Sequence, residues 1–302
     1  MKHFSAHNIL KKLMSVKESV KHQYTLFPET REELEKMIND EMVKQGNEAN
    51  LNHIDVSKIE DFSRLFKRSK FNGDISGWDV SNVKDMRAMF FETEFDGDIS
   101  GWDVSNVKDM SFMFYYARSF GQDISDWDVS NVTDMSRMFK GAESFNQDLS
   151  GWDVSGVTNM TGMFSWSNFN RDISTWDVRN VKNMESMFSN AKRFNSNLKR
   201  WNTKNVENML YMFQGAGSFN QDISRWNVSK VENMRRMFFR AESFNQDISK
   251  WDVSKVTDME EMFSKAKSFY QDISGWDVSS VKSHDYMFKD CPCPEEHQPR
   301  FK

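Results

Sequence analysis

Tryptophan returns at a fixed interval along this chain: Trp78, Trp102, Trp127, Trp152, Trp176, Trp201, Trp226, Trp251 and Trp276, always 24 or 25 residues apart. A Met-Phe pair keeps step with it, ending at Phe90, Phe114, Phe139, Phe164, Phe188, Phe213, Phe238, Phe263 and Phe288. A degenerate earlier copy carries Ile54 in the tryptophan place and Leu65-Phe66 in the Met-Phe place, which makes ten copies between about residues 51 and 290. A unit this short cannot bury its own apolar face. A fixed period of this length therefore specifies a stack, in which each copy seals the next.

One copy reads D-I-S-G-W-D-V-S-N-V-K-D-M-R-A-M-F from Asp74. With Ile75 as position 1, apolar residues fall at 1, 4, 6, 9, 12, 15 and 16 (Ile75, Trp78, Val80, Val83, Met86, Met89, Phe90), and later copies add Ala117 at 19 and Phe120 at 22. This is the L-x-x-L-x-L spacing of leucine-rich repeats with other apolar residues substituted. The alternation of W-D-V predicts a short strand, and the spacing of M-x-x-M-F-x-x-A predicts a helical turn. Position 11 holds Asp61, Asp85, Asp109, Asp134, Asn159, Asn183, Asn208, Asn233, Asp258 and Ser283, side chains suited to cap that turn. The expected fold is an α/β repeat: a leucine-rich-repeat-like solenoid with a parallel β-sheet on one face and short helical turns on the other. Copies one residue short lose it between the Met-Phe pair and the next Phe, which marks that segment as an outer loop.

Three regions follow. Residues 1–50 form an N-terminal helical segment and cap, 51–290 the ten-copy array, and 291–302 a C-terminal cap tail. Within the first, Thr30 and Glu33 make a capping-box pattern, Gly46 a stop, and Leu34, Met37, Ile38 and Met42 line one face, so a helix is expected over 30–45. Cys291 falls in the Ala column of the last copy.

The net charge of −5 gives no bulk attraction for nucleic acid or anionic lipid. The longest apolar run, Phe112 to Ala117, is too short to span a membrane. Met1 to Tyr24 has lysines among scattered apolar residues, without the uninterrupted apolar run of a secretory signal. A cytoplasmic location is expected on that ground.

The run S-F-N-Q-D-I-S-x-W-D-V-S-x-V-x-x-M-x-x-M-F-x-x-A resembles the BspA-like leucine-rich repeat, which includes repeat units of Mycoplasma lipoproteins and other bacterial surface proteins. The resemblance covers residues 51–290. It implies surface display or secretion, adhesion and protein–protein contact. The expected function is a non-enzymatic interaction or adhesion module that binds a protein or anionic glycan. The competing class is an intracellular scaffold or inhibitor acting by occlusion or mimicry.

Position 5 carries Asp55, Asp79, Asp103, Asp128, Asp153, Asp177, Asn202, Asn227, Asp252 and Asp277. Such a ladder of carboxylates suggests a cation or a basic partner, but local bonding to turn groups is the favoured reading. The ladder breaks where basic residues gather: Arg179, Lys199, Arg200, Asn202, Lys204, Arg225 and Asn227 form a candidate partner-binding patch. Residues 51–170 sum to −8 and residues 171–290 to +3, so the array is polarised. Phe91, Phe112, Tyr115 and Tyr116, with Trp166 nearby in the chain, form a second candidate patch, suited to a protein contact or self-association. His3 with His7, and Cys291 and Cys293 with His297, are too few as ligand sets for a metal. Phosphate-loop, nucleophile-elbow and paired-His motifs are missing from the sequence, and no cofactor or enzymatic activity is expected.

Overall fold

A computed structural model describes residues 24–301; the readings made on Met1 to Gln23, including the His3–His7 pair and the missing export signal, lie outside the described residues. The first element, α1 (Arg31–Gln45), forms where its end signals place it. Thr30 Oγ1 accepts the Glu33 N–H at 3.2 Å, and the Glu33 carboxylate accepts the Glu29 N–H at 2.7 Å. The far end stops at Gly46, whose φ of 85° lets its N–H turn back to Met42. Leu34 and Ile38 are buried against the first coil, so α1 closes that end of the stack.

The array is built from a five-residue module used three times in each coil. In D-I-S-G-W, D-V-S-N-V and D-M-R-A-M the acidic side chain accepts the N–H of the residue two places on, at 3.0 Å (Asp74 from Ser76), 3.1 Å (Asp79 from Ser81) and 2.8 Å (Asp85 from Arg87). The second apolar residue then donates its N–H to the carbonyl of the first: Trp78 to Ile75, Val83 to Val80, and Met89 to Met86. All six apolar residues are buried. The chain therefore turns after every few residues, with an Asx side chain setting each turn.

This corrects the expected fold class. Among the described residues there is no β-strand, sheet or barrel, and no helix inside the repeats. W-D-V is not a strand because Asp at position 5 opens a new turn between the two apolar residues. M-x-x-M-F-x-x-A is not helical. Its turns overlap and bring the chain back to the same side every three or four residues, which imitates helical spacing. The caps at position 11 serve these turns.

Coils pair through isolated parallel bridges at position 11, from Asp61↔Asp85 through to Asp258↔Ser283. Beyond the bridge, alternate N–H groups reach the next coil: Met86 to Asp109 at 3.0 Å, Ala88 to Ser111 at 2.8 Å, Phe90 to Met113 at 2.9 Å and Glu92 to Tyr115 at 2.7 Å. The hydrogen bonding is ladder-like, but positions 14 and 18 are left-handed (Ala88 at φ 55°, Glu92 at 52°), which prevents a continuous strand. The same two positions repeat in every coil, and most are not glycine. Each such residue costs about 1–2 kcal/mol. The inter-coil hydrogen bonds those N–H groups make, and the Met and Phe side chains that the turns bury, offset it.

Aromatic columns run through the interior. Successive Phe rings at position 16 lie 5.6–6.0 Å apart and within 12° of parallel. Each repeat tryptophan is buried and still satisfies its indole N–H by donating to the position 1 carbonyl of the coil before, as Trp78 does to Leu51 at 3.0 Å and Trp276 to Ile248 at 3.1 Å. A column of asparagines at position 23 adds further rungs: Asn146, Asn170, Asn195 and Asn220 each accept the backbone N–H of the matching residue one coil on, at 2.8–2.9 Å. The tail closes the other end. Cys291 repeats the alanine turn by donating its N–H to Phe288, the His297 carbonyl accepts from Ile273 at 2.9 Å, and Phe301 stacks on His284 at 3.9 Å. No helix among the described residues is long and apolar enough to cross a membrane.

Candidate functional site

The basic patch sits on the turns at positions 2, 3, 5 and 7, where the module leaves side chains pointing away from the core. Lys199, Arg200, Trp201, Asn202 and Arg225 line one groove of about 600 Å³, and Arg225 and Asn227 help to line an adjoining groove of about 400 Å³ with Lys250 and Asp252. Two of the basic residues are already neutralised. Arg179 pairs with its own Asp177 at 2.7 Å and lines neither groove. Lys199 pairs with Asp222 at 2.7 Å, and with Ser224 it holds the Asp222 carboxyl down at about 2. Arg200, Lys204 and Arg225 are exposed and have no carboxylate partner among the described residues. Asn202 and Asn227 accept the N–H of Lys204 and of Ser229.

The position 5 carboxylates turn out to be turn-setters. Asp79 accepts from Ser81 N and Oγ at 3.1 and 2.6 Å, and Asp252 accepts from Ser254 in the same way at 3.2 and 2.6 Å. Hydrogen bonds from the serine two residues on hold Asp153 and Asp252 below the ordinary carboxylate value. No group of three or more metal-ligating side chains occurs among the described residues. Burial pushes the Cys293 thiol up to about 12, away from the thiolate form.

The aromatic patch is one cluster. Phe91 stacks on Tyr115 at 4.5 Å, Phe112 lies 5.6 Å from Tyr115, and Tyr116 meets Tyr115 edge-on at 4.8 Å. Phe112 and Tyr116 occupy the left-handed positions 14 and 18, with φ of 59° and 50°. Cations from the same and neighbouring coils cover the rings: Lys67 lies 5.0 Å from Phe91, Arg137 5.2 Å from Phe112, Lys140 5.6 Å from Tyr115 and Arg118 5.8 Å from Tyr116. The rings are half-buried, and Tyr116 lies so close over Gly141 that a Cβ there would meet its ring at 2.5 Å. Trp166 stands outside this cluster, 52 % exposed.

On the same face as the aromatic cluster, positions 13, 14, 17 and 18 carry mostly large side chains, but two adjacent coils carry Thr161, Gly162, Ser165 and then Ser186, Ser189, Asn190. These small residues line a depression of about 360 Å³, together with Arg137, Lys140, Trp166, Glu185, Tyr211 and Arg236. The signal was present as two consecutive copies with reduced volume at fixed positions.

Turns set by Asx residues, stacked in register and closed by a helix at one end and a tail at the other, define a repeat protein whose variable surface lies on its turns. The family described as Mycoplasma protein of unknown function, DUF285, matches residues 32–150, 121–218 and 196–298. The chain belongs to that family. No curated protein sequence matches it.

Proposed function

We propose that the chain is a non-enzymatic interaction module that binds a protein or anionic glycan partner through its turn surface. The observation that carries this reading is the groove at Arg200 and Arg225. At the equivalent position four coils carry glycine (Gly77, Gly101, Gly151 and Gly275), whereas these two guanidinium groups face solvent without a counter-ion beside a concave surface. Planar cations of this kind suit carboxylate, sulfate or phosphate groups on a partner. The resemblance to BspA-like surface proteins supports adhesion as the setting for such binding. The test is the doubly reversed variant Arg200→Glu, Arg225→Glu, compared with wild type for retention on an immobilised sulfated polysaccharide and for capture of an acidic protein partner. Both are expected to fall at least about tenfold, the effect of roughly 1.4 kcal/mol. Retention and capture equal to wild type reject the groove as the binding surface.

A further inference from the structure

The depression on the opposite set of positions, 13, 14, 17 and 18, has the make-up of a ligand site. Its floor is small and polar: Gly162 leaves room, and Ser165, Ser186, Ser189 and Asn190 bring hydroxyl and amide groups. Trp166 is the exposed tryptophan in a chain whose nine repeat tryptophans are all buried. It sits at a left-handed position, φ 60°, and packs into no aromatic stack. A large apolar ring held half in water beside a polar trough is an unpartnered surface.

The charges narrow the ligand. Arg236 is held by Glu261, so it brings no free charge. Arg137 and Lys140 have no carboxylate partner; each covers an aromatic ring. Burial, and next to it the Arg137 guanidinium, lower the Lys140 pKa. Glu185 contributes one negative charge, leaving the depression one positive charge in excess. That balance suits a ligand with a single carboxylate and disfavours a polyphosphate or a heavily sulfated chain, which Glu185 repels. The abundance of neutral hydroxyl and amide groups suits a ligand rich in hydroxyls. The C–H face of a pyranose, apolar and slightly positive, stacks on the negative face of an indole ring. A volume of about 360 Å³ holds one to two such rings.

We propose that this depression binds a sugar carrying one carboxylate, a hexuronate unit of an acidic glycan, with its ring on Trp166 and its carboxylate at Arg137 and Lys140. The proposal rests on reading the chain as an interaction module, but it uses a different surface from the Arg200–Arg225 groove.

The test is calorimetric titration of the full chain with a short glucuronate oligosaccharide, alongside a neutral glucose oligosaccharide and a sulfated one of equal length. The wild type is expected to bind the uronate at least about tenfold more tightly than either of the other two. Lys140→Gln and Trp166→Ala are each expected to weaken uronate binding about tenfold, and Trp166→Phe by less, with unfolding midpoints unchanged. Arg200→Glu, Arg225→Glu is expected to bind the uronate as wild type does. Equal affinity for the neutral or sulfated sugar, indifference to Lys140→Gln and Trp166→Ala, or no uronate binding up to about 10 mM overturns the proposal. Loss of uronate binding in the Arg200/Arg225 variant alone places the sugar in the other groove and overturns it too. Failure here with the Arg200/Arg225 effect intact on sulfated polysaccharide leaves the interaction reading standing, so the two failures are distinguishable.

Discussion

The first four coils of the bridge column carry Asp61, Asp85, Asp109 and Asp134; the next four carry Asn159, Asn183, Asn208 and Asn233. Both halves set the same turn with the same side-chain acceptor, at 2.7 Å for Asp61 with Ser63 and 2.9 Å for Asn183 with Glu185. They differ in what the stack then does to the side chain. Burial, together with the neighbouring Asp109 and Asp61, pushes the Asp85 carboxyl up. The amides instead find partners: Asn159 donates to Asp134 at 3.0 Å, and Asn208 donates to Glu185 at 3.3 Å. The turn at position 11 needs an oxygen acceptor and forms with either side chain, so the repeat is free to vary its electrostatics there while keeping its core. The net charge, −8 over residues 51–170 and +3 over residues 171–290, draws in part on that freedom.

If the halves share one interior, equivalent core cuts must cost the same. Phe139→Ala and Phe213→Ala each open a void in the position 16 column and are expected to destabilise by about 3–5 kcal/mol. Urea unfolding of the two variants measures this; costs that differ by more than about 1.5 kcal/mol break the equivalence. Trp127→Phe and Trp226→Phe keep most of the ring but strip the indole N–H from the carbonyls of Ile99 and Leu198. Each is expected to lose about 1–3 kcal/mol, because a buried carbonyl loses its donor.

Acid acts more gently, and on both halves. Asp123 in the first, and Asp148 and Asp222 in the second, are held low by hydrogen bonds, from Lys199 and then Ser224 at Asp222 and from the serine two places on at the other two. A carboxyl whose folded value is lowered stabilises above its unfolded value and loses that contribution as pH falls through the folded one. The thermal midpoint is therefore expected to drop as pH falls from 3.8 towards about 2, in a scan followed by tryptophan fluorescence. A flat profile across that window denies the serine-bonded carboxylates their role.

The tryptophan and Met-Phe columns were legible in the sequence because burial follows side-chain volume at a fixed period, and Ile75, Trp78, Val80, Val83, Met86, Met89 and Phe90 are all inside as their spacing requires. The helix over Arg31–Gln45 was legible because its stop and start chemistry is local. The secondary structure inside the repeat was not. Apolar spacing records which side of the chain faces inward, and overlapping turns at positions 12–19 produce the same record as a helix. The left-handed residues that separate the two hold Ala88, Glu92, Phe112 and Arg137, whose side chains give no hint of positive φ. For the binding surface, Arg200 and Arg225 could be grouped from their column, but the neutralisation of Lys199 and Arg179 depends on which carboxylate the turn places beside them. The small-residue depression needed the face to be assembled from two coils before its volume existed.

The smallest effect sharpens the comparison most, because it exchanges one half's chemistry for the other's. Asp85→Asn keeps the acceptor that the Arg87 N–H uses and removes a carboxylate whose charge is disfavoured by burial first and then by Asp109 and Asp61, which together outweigh Arg87 at 3.7 Å. A folded value raised above the unfolded one means that the charged form is what the fold resists, so the gain is present at neutral pH and fades as pH falls through the raised value. About 0.5–1 kcal/mol of stabilisation is expected at pH 7, discounted because the carboxyl is not fully enclosed. The reciprocal Asn183→Asp places a new charge beside Glu185 and is expected to cost a similar amount, with the opposite dependence on pH. Equal and opposite shifts in the urea midpoint identify the column as electrostatic. Losses in both variants would instead mean that each half is packed around its own side chain, and that the freedom to vary charge is smaller than the shared turn suggests.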